Sequence, residues 1–331
     1  MNSNKKFAVI GGGSWATAIA KMLCENQEKI AWYMRSTNAL EHLKQQKHNP
    51  NYLSSVAFDT NKLQLTNDIN EAIHFADVII FAIPSAFLSA ELEKMSASLG
   101  GKIIFSAIKG IVPETSLIVG EHFHEIFNIP YDNIGVITGP CHAEEVALER
   151  LSYLTIACSD KEKAKYVAKN LASYYIKTKT SDDIVGTEYA AVLKNIYSIA
   201  AGIAHGLGYG DNFQAVLISN AIREMKKFIR KVHKMKRNIN DSAYLGDLLV
   251  TGYSVFSRNR MFGNMIGKGY TVKSAQMEMS MVAEGYYACK SAYNLNIEYK
   301  AKTPIIDAVY QILYEGKNAK AVFSKLTEKL D

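Results

Sequence analysis

The sequence predicts an α/β chain: a Rossmann-type, doubly wound and mostly parallel sheet, followed by an all-α C-terminal domain. Three observations carry this. A short apolar run, Phe7–Ile10, ends in a glycine-rich turn that opens a helical pattern. Fully apolar runs then recur, separated by helical spacing, as buried parallel strands require. After Asp182-Asp183 the strand pattern stops and helical periodicity takes over. The predicted division is a dinucleotide-binding domain over 1–185 and a helical substrate domain over 186–331.

A chain of 331 residues is long enough for two domains with a substantial core. It is 48% hydrophobic and 21% charged, which is ordinary for a soluble globular protein. The net charge of +6 favours anionic ligands without requiring nucleic acid. Cys24, Cys141, Cys158 and Cys289 form no CxxC or metal-like spacing, so free thiols in a reducing cytoplasm are expected. Glycines cut off the N-terminal apolar run before it reaches the length of a signal segment. No segment approaches the roughly 18–20 apolar residues of a membrane span, so no stable membrane insertion is expected.

The first strand runs into Gly11-Gly12-Gly13-Ser14-Trp15-Ala16, and Ile19, Met22 and Leu23 continue at helical spacing. Gly11 allows the tight turn, Gly13 lets backbone approach a pyrophosphate, and Ala16 keeps helix close to strand. The helix N-terminus then offers free N–H groups to phosphate. The second strand, Ile30–Met34, ends in Arg35-Ser36, where an NAD-selective site usually has Asp or Glu. A cation there favours a 2′-phosphate, hence NADP(H); the alternative is an ordinary surface arginine. Tyr52 follows in a loop and either lies against a cofactor or covers the sheet.

Ala76–Ile83, Lys102–Ala107 and Asn133–Thr138 read as further buried strands, then Leu154–Cys158 and Ser173–Lys177. Their carboxyl ends lead into Pro84-Ser85, Lys109-Gly110 and Gly139-Pro140-Cys141-His142-Ala143. Ligands bind at that edge of a doubly wound sheet. Lys109 is either a ligand contact or a solvated strand-end lysine. Cys141 reads as backbone packing, since no histidine–carboxylate arrangement accompanies it.

Gly186–Ile203 reads as a buried helix, with Val192, Leu193, Ile196, Ile199, Ala200 and Ile203 at helical spacing. Lys194 and Asn195 sit side by side in its apolar centre. A lysine there needs a route to solvent or a chemical reason to be inside. Another helix, Phe213–Lys236, ends in a basic run that includes Lys226, Lys227, Arg230 and Lys231. That run reads as a solvated helix end, with an anionic membrane surface as the alternative. Asp247 stands in an apolar run, and Ser257-Arg258-Asn259 offers a guanidinium, hydroxyl and amide in one turn, suited to an oxyanion. Val282-Ala283-Glu284-Gly285 opens a further helix, and the remainder is amphipathic packing.

Several stretches together resemble bacterial-type NAD(P)-dependent glycerol-3-phosphate dehydrogenase. They are GGGSWATAIA at 11–20, FAIPS at 81–85, KGI at 109–111, TGPCHAEEVA at 138–147, YAAVLKNIYSIAAGI at 189–203, GLGYGDN at 206–212, LGDL at 245–248, SRNRMFG at 257–263 and VAEG at 282–285. The pieces stand in the family's order across nearly the whole chain. The resemblance implies reversible, NAD(P)H-dependent reduction of dihydroxyacetone phosphate to sn-glycerol 3-phosphate, supplying glycerophospholipid synthesis, with the active site between the domains. It also implies a cytoplasmic homodimer that uses NADP(H), alternatively NAD(H), and needs no metal or nucleic acid. By the same resemblance Gly11, Gly13, Ser14, Trp15, Arg35, Tyr52, Ala143, Val282 and Glu284 bind cofactor. Lys109 touches cofactor and substrate, as does Arg258. Lys194 transfers the proton, and Gly139, Cys141, Asp247, Ser257 and Asn259 line the substrate site. The family usually has serine where Cys141 stands.

Two other readings remain open at this level. One is another two-domain hydroxyacid dehydrogenase or ketoacid reductase, in which Ser257-Arg258-Asn259 would hold a carboxylate. The other is a non-catalytic NADP-sensing protein. Burial and Lys109 are expected to depress the Lys194 pKa, with Asp247 opposing. Asn195 is expected to face the substrate.

Overall fold

The computed structural model describes residues 4–279 and 283–331. The chain forms two compact units, one comprising residues up to Ile108 together with Leu117–Ile184, the other Lys109–Ser116 with Val185–Asp331. Sequence patterning assigns 109–116 to the first domain; in the structure this segment packs within the second unit.

The first unit is built on an eight-stranded sheet. Its strands are β1 (Phe7–Ile10), β2 (Ile30–Tyr33), β3 (Leu63–Thr66), β4 (Val78–Phe81), β5 (Ile103–Ser106), β6 (Ile134–Thr138), β7 (Ser152–Cys158) and β8 (Ile176–Ser181). They lie in the order β3-β2-β1-β4-β5-β6-β7-β8. Every neighbouring pair is parallel except β6 and β7, which run antiparallel from Gly135↔Cys158 to Thr138↔Thr155. All residues of β1, β2, β4 and β5 are buried, because helices cover both faces of a parallel sheet. Strand order reverses between β1 and β4, and it is outside the carboxyl ends at such a switch point that doubly wound sheets bind ligands.

Two strands differ from expectation. β3, LQLT, escapes notice in the sequence because it is a four-residue edge strand with two half-buried positions. β8 begins at Ile176 instead of Ser173. Ser173 closes a turn, its N–H donating to Ile176 O at 3.1 Å and its Oγ accepting from Ile176 N at 3.2 Å.

The second unit is helical. Its main elements are α2 (Ile184–Gly206), α3 (Asp211–Val232), α4 (Asp247–Tyr253), α5 (Arg258–Gly267), α6 (Glu284–Tyr299) and α7 (Pro304–Leu313), where α1 (Ser14–Asn26) belongs to the sheet unit. Every residue of α2 from Gly186 to Ala204 is buried, so the helix is enclosed on all sides. It meets α5 backbone to backbone. A Cβ on Gly202 would stand 2.1 Å from Arg260 O, and one on Gly263 would stand 2.1 Å from Ile199 O. Gly206 and Gly267 repeat the contact one turn on, each at 2.4 Å from a carbonyl oxygen of the other helix.

The helix predicted to reach Lys236 ends at Val232, so Lys234, Lys236 and Arg237 lie beyond it. The tail, read as continuous amphipathic packing, is two helices, α7 and Ala319–Thr327, separated at Gly316 with φ +65°. Glu224 of α3 is buried and accepts the N–H groups of Ile305 and Ile306 at 2.8 and 3.1 Å, satisfying the first turn of α7. Burial pushes its carboxyl up to about 8 against the pull of those two bonds.

Candidate active site

In the second unit the buried α2 carries Lys194 into the protein, where its ammonium pairs with Asp247 Oδ1 at the start of α4. The two side chains are only 4% and 2% exposed. Thr251 Oγ1 donates to the Asp247 carbonyl at 2.7 Å, holding the first turn of α4. Asp247 Oδ2 is buried with no hydrogen-bond partner among the described residues. Such an oxygen is costly unless something donates to it.

Burial drives the Lys194 pKa down to about 7; Asp247 works against this, and the cation Lys109 adds to it. Lys109 is itself held by α2, since Asn195 Nδ2 donates to the Lys109 carbonyl at 3.1 Å. Asn195, expected on the substrate side, thus spends its Nδ2 on the Lys109 backbone.

The second cationic feature is the N-terminus of α5. Ser257 is its N-cap, accepting from Arg260 N at 3.3 Å and sharing a 2.8 Å hydroxyl contact with Ser198. Ser257 is therefore buried in capping, while Arg258 is half-buried at the first helical position. Asn259 Oδ1 accepts Gly285 N at 2.9 Å, which turns its Nδ2 into the amide's remaining donor end. Glu284, on the first turn of α6, has its carboxyl raised by burial and lowered by the charges of Arg258, Lys109 and Lys194. Four of the expected residues thus act on one another within a single unit. Val282 lies outside the described residues.

In the sheet unit the glycine turn has the shape a pyrophosphate needs. Gly11 adopts φ +140°, and a Cβ there would meet Ala82 O at 2.4 Å, so β1 passes the end of β4 only without a side chain. Gly13 has nothing within 4 Å of where its Cβ would be. α1 starts immediately after it with no side-chain cap and no acid in its first turn. A positive dipole end with neither a side-chain cap nor an acid beside it suits an anion.

Sequence reasoning missed what holds this turn. Trp32 Nε1 donates to Gly11 O at 2.7 Å, and the buried Asn49 donates to Gly12 O and Thr17 Oγ1 at 3.1 and 2.9 Å. Ser14 is buried, Trp15 and Tyr52 are half-buried, and Arg35 is exposed at the end of β2. Gly139, Cys141 and Ala143 sit in sequence at the carboxyl end of β6, all three buried; Gly139 has φ +118°.

A doubly wound sheet opening on an uncapped glycine turn marks a protein that holds a dinucleotide. With a buried lysine of lowered basicity in the helical unit, the class is a nicotinamide-dependent oxidoreductase. Family models described as NAD-dependent glycerol-3-phosphate dehydrogenase match this chain, the N-terminal part over residues 6–164 and the C-terminal part over 183–324. The chain belongs to that family. Glycerol-3-phosphate dehydrogenase (NAD(P)+) of Streptococcus mutans is 34% identical over 327 residues, covering 97% of this chain and 95% of the relative. That of Bacillus subtilis is 34% identical over 326 residues, covering 97% and 94%. A crystal structure of glycerol-3-phosphate dehydrogenase from Coxiella burnetii aligns with a TM-score of 0.90 at 26% identity, covering 98% of this chain and 99% of that one.

Proposed function

We propose that the protein reduces dihydroxyacetone phosphate to sn-glycerol 3-phosphate with NADPH or NADH, reversibly, and that Lys194 is its acid–base residue. The observation that carries this is the sealed Lys194–Asp247 pair, with Lys109 adjoining and a free carboxylate oxygen on Asp247. The bound nicotinamide supplies or accepts hydride at substrate C2. As charge builds on the C2 oxygen, the Lys194 ammonium donates a proton to it; in reverse the amine takes that proton back. Asp247 Oδ1 orients the ammonium, and Oδ2 accepts a substrate hydroxyl. Lys109 adds positive charge beside the developing oxyanion.

Arg258, with the N-terminus of α5 and Asn259 Nδ2, grips the phosphate, so binding energy spent at a remote group orients the carbonyl. The capping role of Ser257 makes it a support for this grip. Gly11, Gly13, Ser14 and Trp15 seat the pyrophosphate and adjoining cofactor, Arg35 meets the adenosine ribose or its 2′-phosphate, and Tyr52, Ala143 and Glu284 line the rest of the cofactor path. Gly139 and Cys141 complete the substrate wall.

No helix among the described residues is long and apolar enough to cross a membrane. We place the enzyme in the cytoplasm as a homodimer feeding glycerophospholipid synthesis; sedimentation equilibrium of the purified chain tests the dimer. The activity is tested by following NADPH and NADH oxidation with dihydroxyacetone phosphate against a panel of 2-keto acids. Turnover is expected with the phosphate ester alone. Comparable kcat/KM with a keto acid would place the enzyme among ketoacid reductases instead.

A further inference from the structure

Arg35 is not an isolated surface cation. Tyr33, the last residue of β2, donates its hydroxyl to Glu91 Oε2 at 2.5 Å. Glu91 stands on the short helix Leu88–Leu92 that follows β4. Lys94 Nζ lies 2.9 Å from Glu91 Oε1, and Arg35 Nη1 lies 3.8 Å from the same oxygen. The Glu91 side chain is 6% exposed and that of Arg35 74% exposed, so a fixed, buried carboxylate faces an open guanidinium. Burial opposes ionisation of Glu91, yet the bonds from Tyr33 and Lys94 and the charge of Arg35 prevail and hold its carboxyl below the usual range. At neutral pH it is an anion.

We propose that Glu91 is a specificity-determining positioning residue that engages Arg35 and thereby moderates the preference for NADPH over NADH. The proposal rests on reading Arg35 as the residue that meets a 2′-phosphate. That phosphate must share Arg35 with a carboxylate already paired to it, and it brings further negative charge toward the same place. A ribose 2′-OH meets no such conflict. An acid at the end of β2 commonly favours the diol. Here the acid arrives from beyond β4, bonded to the last residue of β2 and outside the reach of any local spacing rule.

The test is steady-state reduction of dihydroxyacetone phosphate by the full chain with each cofactor, in wild type, E91Q, R35A and the double variant. E91Q is expected to raise the ratio of kcat/KM for NADPH to that for NADH by roughly threefold to tenfold, through KM for NADPH. R35A is expected to lower the ratio, and the double variant to match R35A alone. If R35A leaves the ratio unchanged, the reading of Arg35 fails and the proposal with it. If R35A lowers the ratio but E91Q leaves it unchanged or lowers it, Arg35 keeps its role and the proposal for Glu91 is overturned. An equal rise from E91Q in the R35A background would mean that Glu91 acts on the cofactor directly, which also overturns it. Should E91Q fail to fold, K94M is the second variant. Lys94 is 49% exposed, and its loss releases Glu91 toward Arg35. The ratio should then fall in the wild-type background and stay put in R35A; a fall in both sinks the proposal.

Discussion

Lys194–Asp247 and Arg35–Glu91 are the same pairing, cation to carboxylate, placed in two different media. The first is closed on both sides, at 4% and 2% exposure; the second is open on the cation side, at 74% against 6%. In the closed pair neither charge has water to fall back on, so losing one partner strands the other. Protonation of Lys194 is therefore bound to its surroundings, which suits proton transfer. In the open pair the cation is solvated and contributes less than about 1 kcal/mol to stability. Its charge can be handed over to a ligand.

The largest test of the contrast is Lys194→Met. Turnover should fall by about a thousandfold or more, while NADPH affinity, read by fluorescence titration, stays near wild type. Turnover kept within roughly tenfold would mean that the closed pair is not the acid–base group.

Next in size is the pH response. With Lys194 depressed to about 7, the ammonium is the form below that pH and the amine the form above it. The kcat/KM for reduction should therefore decline as pH rises through about 7, and the kcat/KM for oxidation should rise through the same region. Asp247→Asn removes the group that raises Lys194 and should move both limbs to lower pH. Lys109→Met removes a depressing charge and should move them higher. An unmoved profile in both variants would separate the titration from this cluster.

A smaller effect distinguishes the open pair. Raising the salt concentration should increase KM for NADPH more than KM for NADH, because an exposed charge is screened within a Debye length of about 8 Å at physiological ionic strength. The pH midpoint of reduction should barely respond, since the closed pair is not reached by ions. Equal salt sensitivity of both quantities would erase the distinction.

The smallest effect concerns a third carboxylate, Glu224, which has backbone N–H partners instead of a cation. Its folded-state pKa of about 8 lies above the ordinary glutamate value of 4.5, so between the two the folded state holds a proton that the unfolded state gives up. Stability from this group is complete below the unfolded value and is lost as pH rises toward the folded one. Glu224→Gln should flatten the decline of Tm between those limits by a few degrees, measured by calorimetry.

The sheet unit was legible where its residues obey one rule at a time. Phe7–Ile10 and Val78–Phe81 are uniformly apolar because both faces are covered, and the sequence pattern says so. β3 was not, because LQLT is an edge strand of mixed polarity and resembles loop or helix equally well, and β8 was read three residues early and cut short at Lys177, because its polar run IKTKTS does not mark its own ends. In the site, Lys194 stood out as a charge inside an apolar helix, and Asp247 as an acid in an apolar run. Glu91, Asn49 and Trp32 did not stand out. Each acts through a contact far along the chain, 58 residues for Glu91 to Tyr33 and 37 for Asn49 to Gly12, and nothing local marks the destination. Ser198 was within reach: it lies one helical turn after Lys194 and is a hydroxyl in an otherwise apolar stretch.

The glycine contacts between α2 and α5 set a length. Lys194 rides on one of these helices and Arg258 on the other, and where the helices touch, backbone meets backbone with no torsion-bearing side chain in between. Elsewhere in a core, a changed volume is absorbed by rotamers. At Gly202 or Gly263 even one added methyl would meet a carbonyl oxygen at 2.1 Å and would have to drive the helices apart. If Lys194 handles the proton and the α5 N-terminus grips the phosphate, as proposed above, the span between them is a rigid calliper. A substrate one carbon longer or shorter between carbonyl and phosphate would then find no slack in it, and chain length would be gauged by residues that have no side chains at all.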